Sequence, residues 1–306
     1  MNRDPRYDIL FEPVPIGPVT AKNRFYQVPH CNGMGFKWPQ SHAKMREVKA
    51  EGGWAVICTE ECMIHPTSDG TPYPQGRLWD EGDVELLALF AEGVHRHGAL
   101  AGVELVHHGQ AIPNLFSREY PLAPSDTINR HNDPVQARAM DKADIRALRE
   151  WHRKAALRAK RADIDLVYVY AAHDLALPQH FLSRRRNQRS DEYGGSLENR
   201  ARLLRELIED TKDAVGDRCG VVVRFAVDEM VGPDGITADA EAPEVIEMLG
   251  ELPDMWDVNI SDFSEDAPTS QFQTEGHHEP YVAFVKTLTT KPVVGVGWFT
   301  SPDTMA

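Results

Sequence analysis

The most constraining feature of this sequence is a regular alternation of short apolar runs with longer segments of helical periodicity. Each apolar run is rich in β-branched residues and is typical of a strand buried on both faces. Seven such runs begin near Lys22, Trp54, Ala99, Asp165, Gly220, Met255 and Pro292. Strands that alternate with helices form a parallel sheet, either open or closed into a barrel. A barrel accounts for the whole chain as one domain of usual size, so we favour it.

The segments between these runs predict helices. Residues 142–162 carry apolar side chains at steps of three and four, which marks one face of a helix. Asp141 precedes the segment and is placed to cap it. A second helix is predicted after Ser196, and two shorter ones are predicted at Glu241–Leu249 and Pro280–Lys286.

The predicted fold class is α/β: a (β/α)8 TIM barrel truncated after strand seven, with an N-terminal β-hairpin at residues 10–20. Eight strands close such a barrel, and residues 1–306 supply seven as one domain that is incomplete at its C-terminus. The last residues predict a helix start, with Ser301 as N-cap and Pro302 in the first turn. Strands one and seven should therefore each carry an unpaired edge.

Charge and composition exclude several classes of protein. The formal net charge is −14 without a basic run, which argues against a nucleic-acid partner. No stretch approaches the roughly 18 apolar residues of a membrane helix, and the N-terminus lacks the apolar core of a secretory signal. The cysteines show no CxxC spacing, so we predict free thiols in a cytoplasmic protein: Cys31, Cys58, Cys62 and Cys219.

Polar residues cluster where the predicted strands end. The carboxyl ends of barrel strands share one face, which carries the active site, and long loops there are usually functional. The longest connection, residues 109–140, leaves from that face. The polar residues at the strand ends are His30, Cys31, Glu60, Glu61, Glu104, His107, His108, Tyr170, His173, Arg224, Asp228 and residues 262–266.

Several stretches, read in order, resemble one known family. They include LFEPVPIGPVTAKNRFYQVPHC, VKAEGGWAVICTEEC, GALAGVEL, YVYAAH, DEYGGSLENRARLLRE, RFAVD and KPVVGVG. Together they resemble the barrel domain of the trimethylamine, dimethylamine and histamine dehydrogenases and the demethylases of N-methylated amino acids. These enzymes belong to the wider Old Yellow Enzyme class. The resemblance covers essentially the whole chain.

The resemblance implies an FMN cofactor, covalently bound through Cys31 to the flavin ring. A buried, unreactive thiol is the alternative reading of Cys31, and a zinc site is another, formed by His30, Cys31, His107 and His108. A carboxylate can accept from the flavin ring N–H, and a guanidinium can stabilise the charge of the reduced ring. Cofactor-binding residues at matching positions are Val28, Pro29, Cys31, Glu104, Arg224, Gly295 and Gly297. The family usually has arginine where this chain has Trp298, which removes one phosphate partner.

On the substrate side, the resemblance implies a catalytic group of Tyr170, His173 and Asp266, in which Asp266 orients His173. Phe263 is the aromatic residue nearest to an expected tryptophan of the substrate pocket. Glu61 departs from trimethylamine dehydrogenase, which has an aromatic residue in a cation-binding cage here. A carboxylate suits an ammonium that still carries an N–H. Pairing with a loop Arg or Lys is the alternative for Glu61.

The function implied is oxidation of a methylated amine or N-methyl amino acid by hydride transfer to flavin. An NAD(P)H-dependent ene reductase of the Old Yellow Enzyme type is a second reading, and a non-catalytic truncated fragment is a third. Implied partners are a small-molecule amine and, for the full-length enzyme, an electron acceptor protein; a homodimer is a candidate assembly. A 4Fe-4S cluster is expected only in full-length relatives.

Overall fold

The computed structural model describes residues 4–71, 75–128, 135–262, 266 and 272–306. The strands are β1 (Val14–Ile16), β2 (Val19–Ala21), β3 (Tyr26–Gln27), β4 (Val56–Met63), β5 (Gly76–Arg77), β6 (Leu100–Val106), β7 (Leu122–Ala123), β8 (Thr127–Ile128), β9 (Gln136–Ala139), β10 (Leu166–Ala171), β11 (Gly220–Ala226), β12 (Met255–Asn259) and β13 (Val293–Gly295). The helices are α1 (Pro39–Glu51), α2 (Gly82–His95), α3 (Lys142–Arg161), α4 (Leu177–Leu182), α5 (Leu197–Val215), α6 (Glu241–Leu249), α7 (Glu279–Val282), α8 (Val285–Leu288) and α9 (Pro302–Met305). Short 3-10 helices lie at Pro5–Phe11, Pro66–Ser68 and Gly109–Ala111.

Seven parallel strands form the barrel wall in chain order: β3, β4, β6, β10, β11, β12 and β13. The predicted α/β barrel of seven strands is therefore confirmed. Two-residue strand β5 adds to the end of β4 and was not predicted. The pairing of β4 with β6 shifts between Cys58 and Glu61. Because every wall strand is parallel, all seven carboxyl ends lie at one face of the barrel.

The barrel wall is open on one side. Within the described ranges no hydrogen bonds join β3 to β13, so each strand has a free edge, as predicted. A cleft of about 650 Å³ lies at this opening, lined by the β1–β2 hairpin, Tyr26, Val293 and Val294. Strand β13 is partly exposed, whereas β10, β11 and β12 are fully buried. The opening is thus confined to the side between the first and last wall strands.

The predicted N-terminal hairpin is present and covers the bottom of the barrel. β1 and β2 pair antiparallel, and Ile16 is fully buried in a cluster with Leu166 and Val222. A Cβ on Gly220 would lie 2.8 Å from the Ile16 carbonyl oxygen, so glycine is needed for this approach. Because the hairpin covers the end where the strands begin, the opposite face is left for a site.

The predicted helix caps are confirmed. The Asp141 side chain accepts the backbone N–H of Asp144, and the Asp144 side chain accepts the backbone N–H of Asp141. These two bonds form a capping box. Ser301 caps α9 as predicted, and Ser196, after which a helix was predicted, caps α5. In the part of the chain that the structure describes, no helix is long and apolar enough to cross a membrane.

Two predicted segments differ from the structure. The single helix predicted over Pro280–Lys286 is wrong in its continuity, because α7 and α8 are separated by Ala283 and Phe284. Those residues keep helical angles, but the Thr287 N–H bonds only three residues back, to Phe284. The connection at 109–140 contains a small sheet in which β9 pairs with both β7 and β8. Strands of two to four residues are too short to produce a periodic signal.

The DEYGGSLENR stretch builds the connection from β10 into α5. A Cβ on Gly194 would lie 2.3 Å from the Arg189 carbonyl oxygen, so the turn tolerates only glycine there. Arg200 is almost fully buried and binds the Glu241 carboxylate with both terminal nitrogens, at 2.6 and 3.0 Å. This stretch therefore shapes the barrel around the site and does not contribute to the side-chain clusters described below.

Candidate active site

The inward-facing side chains at the strand ends form one buried polar layer. Glu61 of β4 pairs in register with Glu104 of β6, Tyr170 of β10 pairs with Arg224 of β11, and Arg224 pairs with Asp257 of β12. All five residues are buried. Three carboxyl groups thus surround one guanidinium at the carboxyl face of the barrel.

Arg224 is the centre of this layer. Its Nη1 donates to the Pro29 carbonyl oxygen at 3.0 Å and to Glu104 Oε1 at 3.3 Å, and its Nε lies 3.5 Å from Asp257 Oδ2. Burial alone would lower the pKa of Arg224, but Asp257 and Glu104 hold it well above its usual value. Burial raises the pKa of Glu104 to about 8, against the effect of Arg224, and raises that of Asp257 to about 6. The guanidinium is therefore charged while Glu104 keeps its proton at neutral pH.

Tyr170, His173 and Asp266 form a hydrogen-bonded chain. His173 Nε2 lies 3.1 Å from Asp266 Oδ2 and 2.9 Å from the Asn259 side chain. The Asn259 amide satisfies its neighbours when its oxygen faces His173 and Arg224 Nε. His173 then carries its proton on Nε2, and Nδ1 accepts the Tyr170 hydroxyl proton at 2.5 Å. Burial lowers the pKa of His173, which favours this neutral form.

The backbone that carries this hydrogen-bonded network is strained. His173 and Asp174 both have positive φ, at 60° and 53°, which residues other than glycine rarely adopt. Arg186 holds Asp174 in an ion pair, with Nε 3.1 Å from Oδ1, and Gln179 accepts the Asp174 N–H at 2.7 Å. Such strain persists where surrounding contacts fix it, and it concentrates at functional sites.

Glu61 faces the same site and contacts a histidine. Its Oε1 lies 3.0 Å from His108 Nε2, and His108 Nδ1 lies 3.0 Å from Ser68 Oγ. The alternative reading, in which Glu61 pairs with an Arg or Lys, is not seen among the described residues. Burial would raise the pKa of Glu61, but the charge and hydrogen bond of His108 bring it below its usual value. Glu61 is thus an anion in a buried site.

Glu60 has a different role from its neighbour because successive strand residues face opposite ways. Its carboxylate accepts the backbone N–H groups of Asn32, Met34 and Gly35, at 2.5, 3.1 and 2.7 Å. These bonds fix the loop that follows β3 and carries Cys31. Glu60 therefore organises the loop and points away from the site.

Cys31 is half-buried at the end of the β3 segment. Burial raises the pKa of its thiol well above the usual value, and the Glu61 charge adds to that effect. The Cys31 sulfur is therefore a protonated thiol in this structure, not a reactive thiolate. Val28 and Pro29 precede it, and their carbonyl oxygens accept bonds from Gln27 Nε2 and Arg224.

The geometry does not support the zinc reading. His107 Nε2 lies 2.9 Å from Thr67 Oγ1, and its ring stacks 5.8 Å from Trp151 of α3. It therefore faces away from His108 and Cys31. Across the described ranges, no three His, Cys, Asp or Glu side chains are grouped as metal ligands.

The predicted phosphate-binding residues lie where β13 ends. Gly295 is exposed, and Gly297 has a φ of +157° while its carbonyl accepts the Gly276 N–H at 2.8 Å. Trp298 has a positive φ of 56° and is 47% exposed. Phe263, predicted to contact substrate, lies outside the described residues.

Sequence reasoning missed Asp257, Asn259 and Ser68. The first two had a detectable signal, because polar residues at alternate positions of the otherwise apolar strand β12 must share its inward face. Ser68 had none, since its position depends on a loop folding back onto His108.

The polar layer fits the flavin implied by the sequence. Glu104 can accept a hydrogen bond from a ring N–H or, when protonated, donate one to a ring carbonyl. Arg224 supplies a fixed positive charge next to Glu104. Both are held by other protein groups and buried, so they are already ordered for a planar, hydrogen-bonding ligand. Gly297 follows β13, which is separated from the Arg224 strand β11 by β12.

Comparison with known proteins gives the same result. The chain is 40% identical along its whole length to dimethylamine dehydrogenase of Hyphomicrobium sp. (strain x) and covers 42% of that protein. It superposes on 6-hydroxypseudooxynicotine amine oxidase of Pseudomonas geniculata N1 with a TM-score of 0.97 and 53% identity, covering 99% of this chain and 46% of the other. For histamine dehydrogenase of Rhizobium sp. 4-9 the TM-score is 0.95 and the identity 51%, with coverage of 98% and 44%.

The chain thus spans less than half the length of these amine-oxidising relatives. A more distant likeness, to an Old Yellow Enzyme homologue of Zymomonas mobilis, has a TM-score of 0.75 at 26% identity and covers 96% of this chain and 83% of the other. The model of the NADH:flavin oxidoreductase / NADH oxidase family matches residues 9–306, and the chain belongs to that family of flavin-dependent enzymes.

Proposed function

We propose that this chain is the flavin- and amine-binding barrel of an amine dehydrogenase that oxidises methylated amines or N-methyl amino acids. The observation that carries the proposal is that two hydrogen-bond networks, each with one carboxylate and one histidine, present polar groups to one buried site. Asp266 and His173 lead to the Tyr170 hydroxyl, while His108 holds the Glu61 carboxylate. An anion and a hydroxyl acceptor are what a cationic amine with an N–H requires.

Arg224 and Glu104 would hold the pyrimidine edge of FMN, and the backbone at Gly295 and Gly297 would meet its phosphate. FMN, when bound, supplies the acceptor for a hydride from the carbon next to the amine nitrogen. A covalent bond through Cys31 is part of the proposal, and it requires loss of the thiol proton that the structure retains. In a longer polypeptide, the electrons would pass on to an iron–sulfur cluster and an acceptor protein.

Tyr170 would orient the reacting amine. Its proton is directed to His173, so its oxygen lone pairs remain to accept an N–H from substrate. Burial raises the pKa of Tyr170 well above its usual value, so the residue acts as a neutral hydroxyl and not as a tyrosinate. Asp266 and Asn259 fix the imidazole that receives the Tyr170 proton.

Glu61 would determine which amines bind. A carboxylate binds an ammonium through a charge-assisted N–H hydrogen bond, whereas an aromatic cage also accepts cations without an N–H. We therefore propose secondary or tertiary amines, including N-methyl amino acids, as the substrate class. The bound ammonium would first pass its N–H proton to the Glu61 carboxylate, and hydride loss from the resulting neutral amine would give an iminium, which water hydrolyses to an amine and an aldehyde.

The test uses purified, flavin-loaded protein under anaerobic conditions. Addition of dimethylamine or an N-methyl amino acid should bleach the flavin absorbance, and Glu61→Gln should weaken the response to each effective amine. Colour that survives acid precipitation, and is lost from that precipitate in Cys31→Ala, supports the covalent bond. Protein that stays colourless with added FMN would refute the proposal and favour a non-catalytic fragment.

A second candidate, an NAD(P)H-dependent reductase, is supported by one comparison. The NADPH dehydrogenase of Geobacillus thermodenitrificans is 29% identical over 96% of this chain. Oxidation of NADPH in the presence of an enone, with no bleaching by amines, would favour that activity over amine oxidation.

A further inference from the structure

Behind Glu61 lies a chain of hydrogen bonds that fixes both the position and the charge of its carboxylate. Ser68 Oγ accepts the backbone N–H of His108 at 2.9 Å, so its own proton is available for His108 Nδ1 at 3.0 Å. Since Nδ1 accepts, a neutral His108 carries its proton on Nε2 and donates it to Glu61 Oε1 at 3.0 Å. Because Glu61 is an anion, Nε2 carries a proton in either charge state of His108, and Glu61 Oε1 accepts it.

This chain is closed to solvent. Ser68 is fully buried, His108 is 3% exposed and Glu61 is 7% exposed. No Arg or Lys of the described part of the chain forms an ion pair with Glu61, and His108 is its ion-pair partner. A buried carboxylate with one partner depends strongly on that partner, because desolvation otherwise favours its neutral form.

The contact also leaves Glu61 with one oxygen for a ligand. Oε1 is occupied by His108, whereas Oε2 makes no hydrogen bond to a described residue. The ligand-facing group is therefore a single acceptor with a fixed direction. It can bind an ammonium that carries one N–H, but it offers a quaternary ammonium only its charge.

We propose that His108, oriented by Ser68, is a positioning residue that holds Glu61 as a single directed acceptor and so selects amines with an N–H over quaternary ammonium ions. The selectivity part rests on the proposed function. Four other titratable groups face Glu61: Cys31, Glu104, His173 and Arg224. They are unchanged in every variant compared below.

The experiment measures binding of dimethylammonium and tetramethylammonium to flavin-loaded protein, by calorimetry or by perturbation of the flavin spectrum, without turnover. Wild type should prefer dimethylammonium. His108→Phe should reduce that preference by about 10-fold or more, which is the range for one charged hydrogen bond. His108→Gln, whose amide can replace Nε2–H, should restore most of it. A purely structural role would weaken both ions alike and would leave the ratio unchanged.

A double-mutant cycle gives the sharper criterion. If His108 acts through Glu61, His108→Phe should add little to the loss already caused by Glu61→Gln. Additive losses, or an unchanged ratio in His108→Phe with normal flavin content, would overturn the proposal. If His108→Phe does not fold, Ser68→Ala replaces it in the cycle, with an expected loss of about 3-fold for one neutral hydrogen bond.

Nitrogen-15 NMR of labelled histidine separates this inference from the proposed function. His108 should show a proton on Nε2 in both proteins, and its Nδ1 chemical shift should change in Ser68→Ala because the hydrogen bond to Ser68 is lost. If wild type binds neither ion, the proposed function and the selectivity fail together, while the NMR result still decides the hydrogen-bond chain. If both ions bind with the expected ratio and the flavin is not reduced, only the proposed function fails.

Discussion

Glu104 should make the stability of the flavin-free protein depend on pH. Its pKa of about 8, in place of the usual 4.5, means that the folded state binds this proton more tightly than the unfolded state. The folded state is therefore favoured when Glu104 is protonated, and it loses stability as pH rises from about 4.5 through 8. The pKa difference corresponds to about 5 kcal/mol as an upper value.

The perturbation is Glu104→Gln, which keeps the shape and removes the titration. Urea unfolding at intervals from pH 5 to pH 9 gives the difference in unfolding free energy between variant and wild type. The variant should become relatively more stable with rising pH, and the difference should level off above pH 8. Asp257→Asn is the matched control, because it also removes a titrating carboxyl group and keeps its shape. Its difference in unfolding free energy from wild type should level off near pH 6. A difference for Glu104→Gln that does not vary with pH would refute the reasoning.

Three further predictions follow from contacts in the structure. Tyr170→Phe should lower the limiting rate of flavin reduction by amine about 100-fold, measured by stopped flow, because it removes the hydroxyl that orients the amine. Arg200→Leu should cost about 1–3 kcal/mol in urea unfolding, because the buried Glu241 carboxylate would keep only its ion pair with the exposed Arg184; Arg202→Leu, on the same helix, is the control. Asp141→Ala should cost about 1 kcal/mol, through loss of the α3 cap.

Much of the fold follows from local signals. The alternation of apolar runs and amphipathic segments predicts the seven strands, and Asp141, Ser196 and Ser301 predict helix starts because capping depends on neighbouring residues only. The break between α7 and α8 was not predictable in this way. Helical angles persist there, and a change in hydrogen-bond spacing leaves no mark on residue periodicity.

The site was predictable only in its strand-borne part. Glu104 and Arg224 stand at inward positions of continuous buried strands, so their approach follows from the register. The contact of Asp266 with His173 spans 93 residues and depends on a loop after β12. The sequence groups His107 with His108, but adjacent residues face apart at the end of β6, and only His108 reaches Glu61.

The central claim, that the barrel binds flavin and presents a cationic amine to it, is tested most directly by anaerobic titration of the flavin-loaded protein with dimethylamine. Complete bleaching of the flavin absorbance by dimethylamine is the predicted result, with a much weaker response in Glu61→Gln. A flavin-loaded protein that shows neither bleaching nor a spectral shift with dimethylamine or N-methyl amino acids would contradict the account.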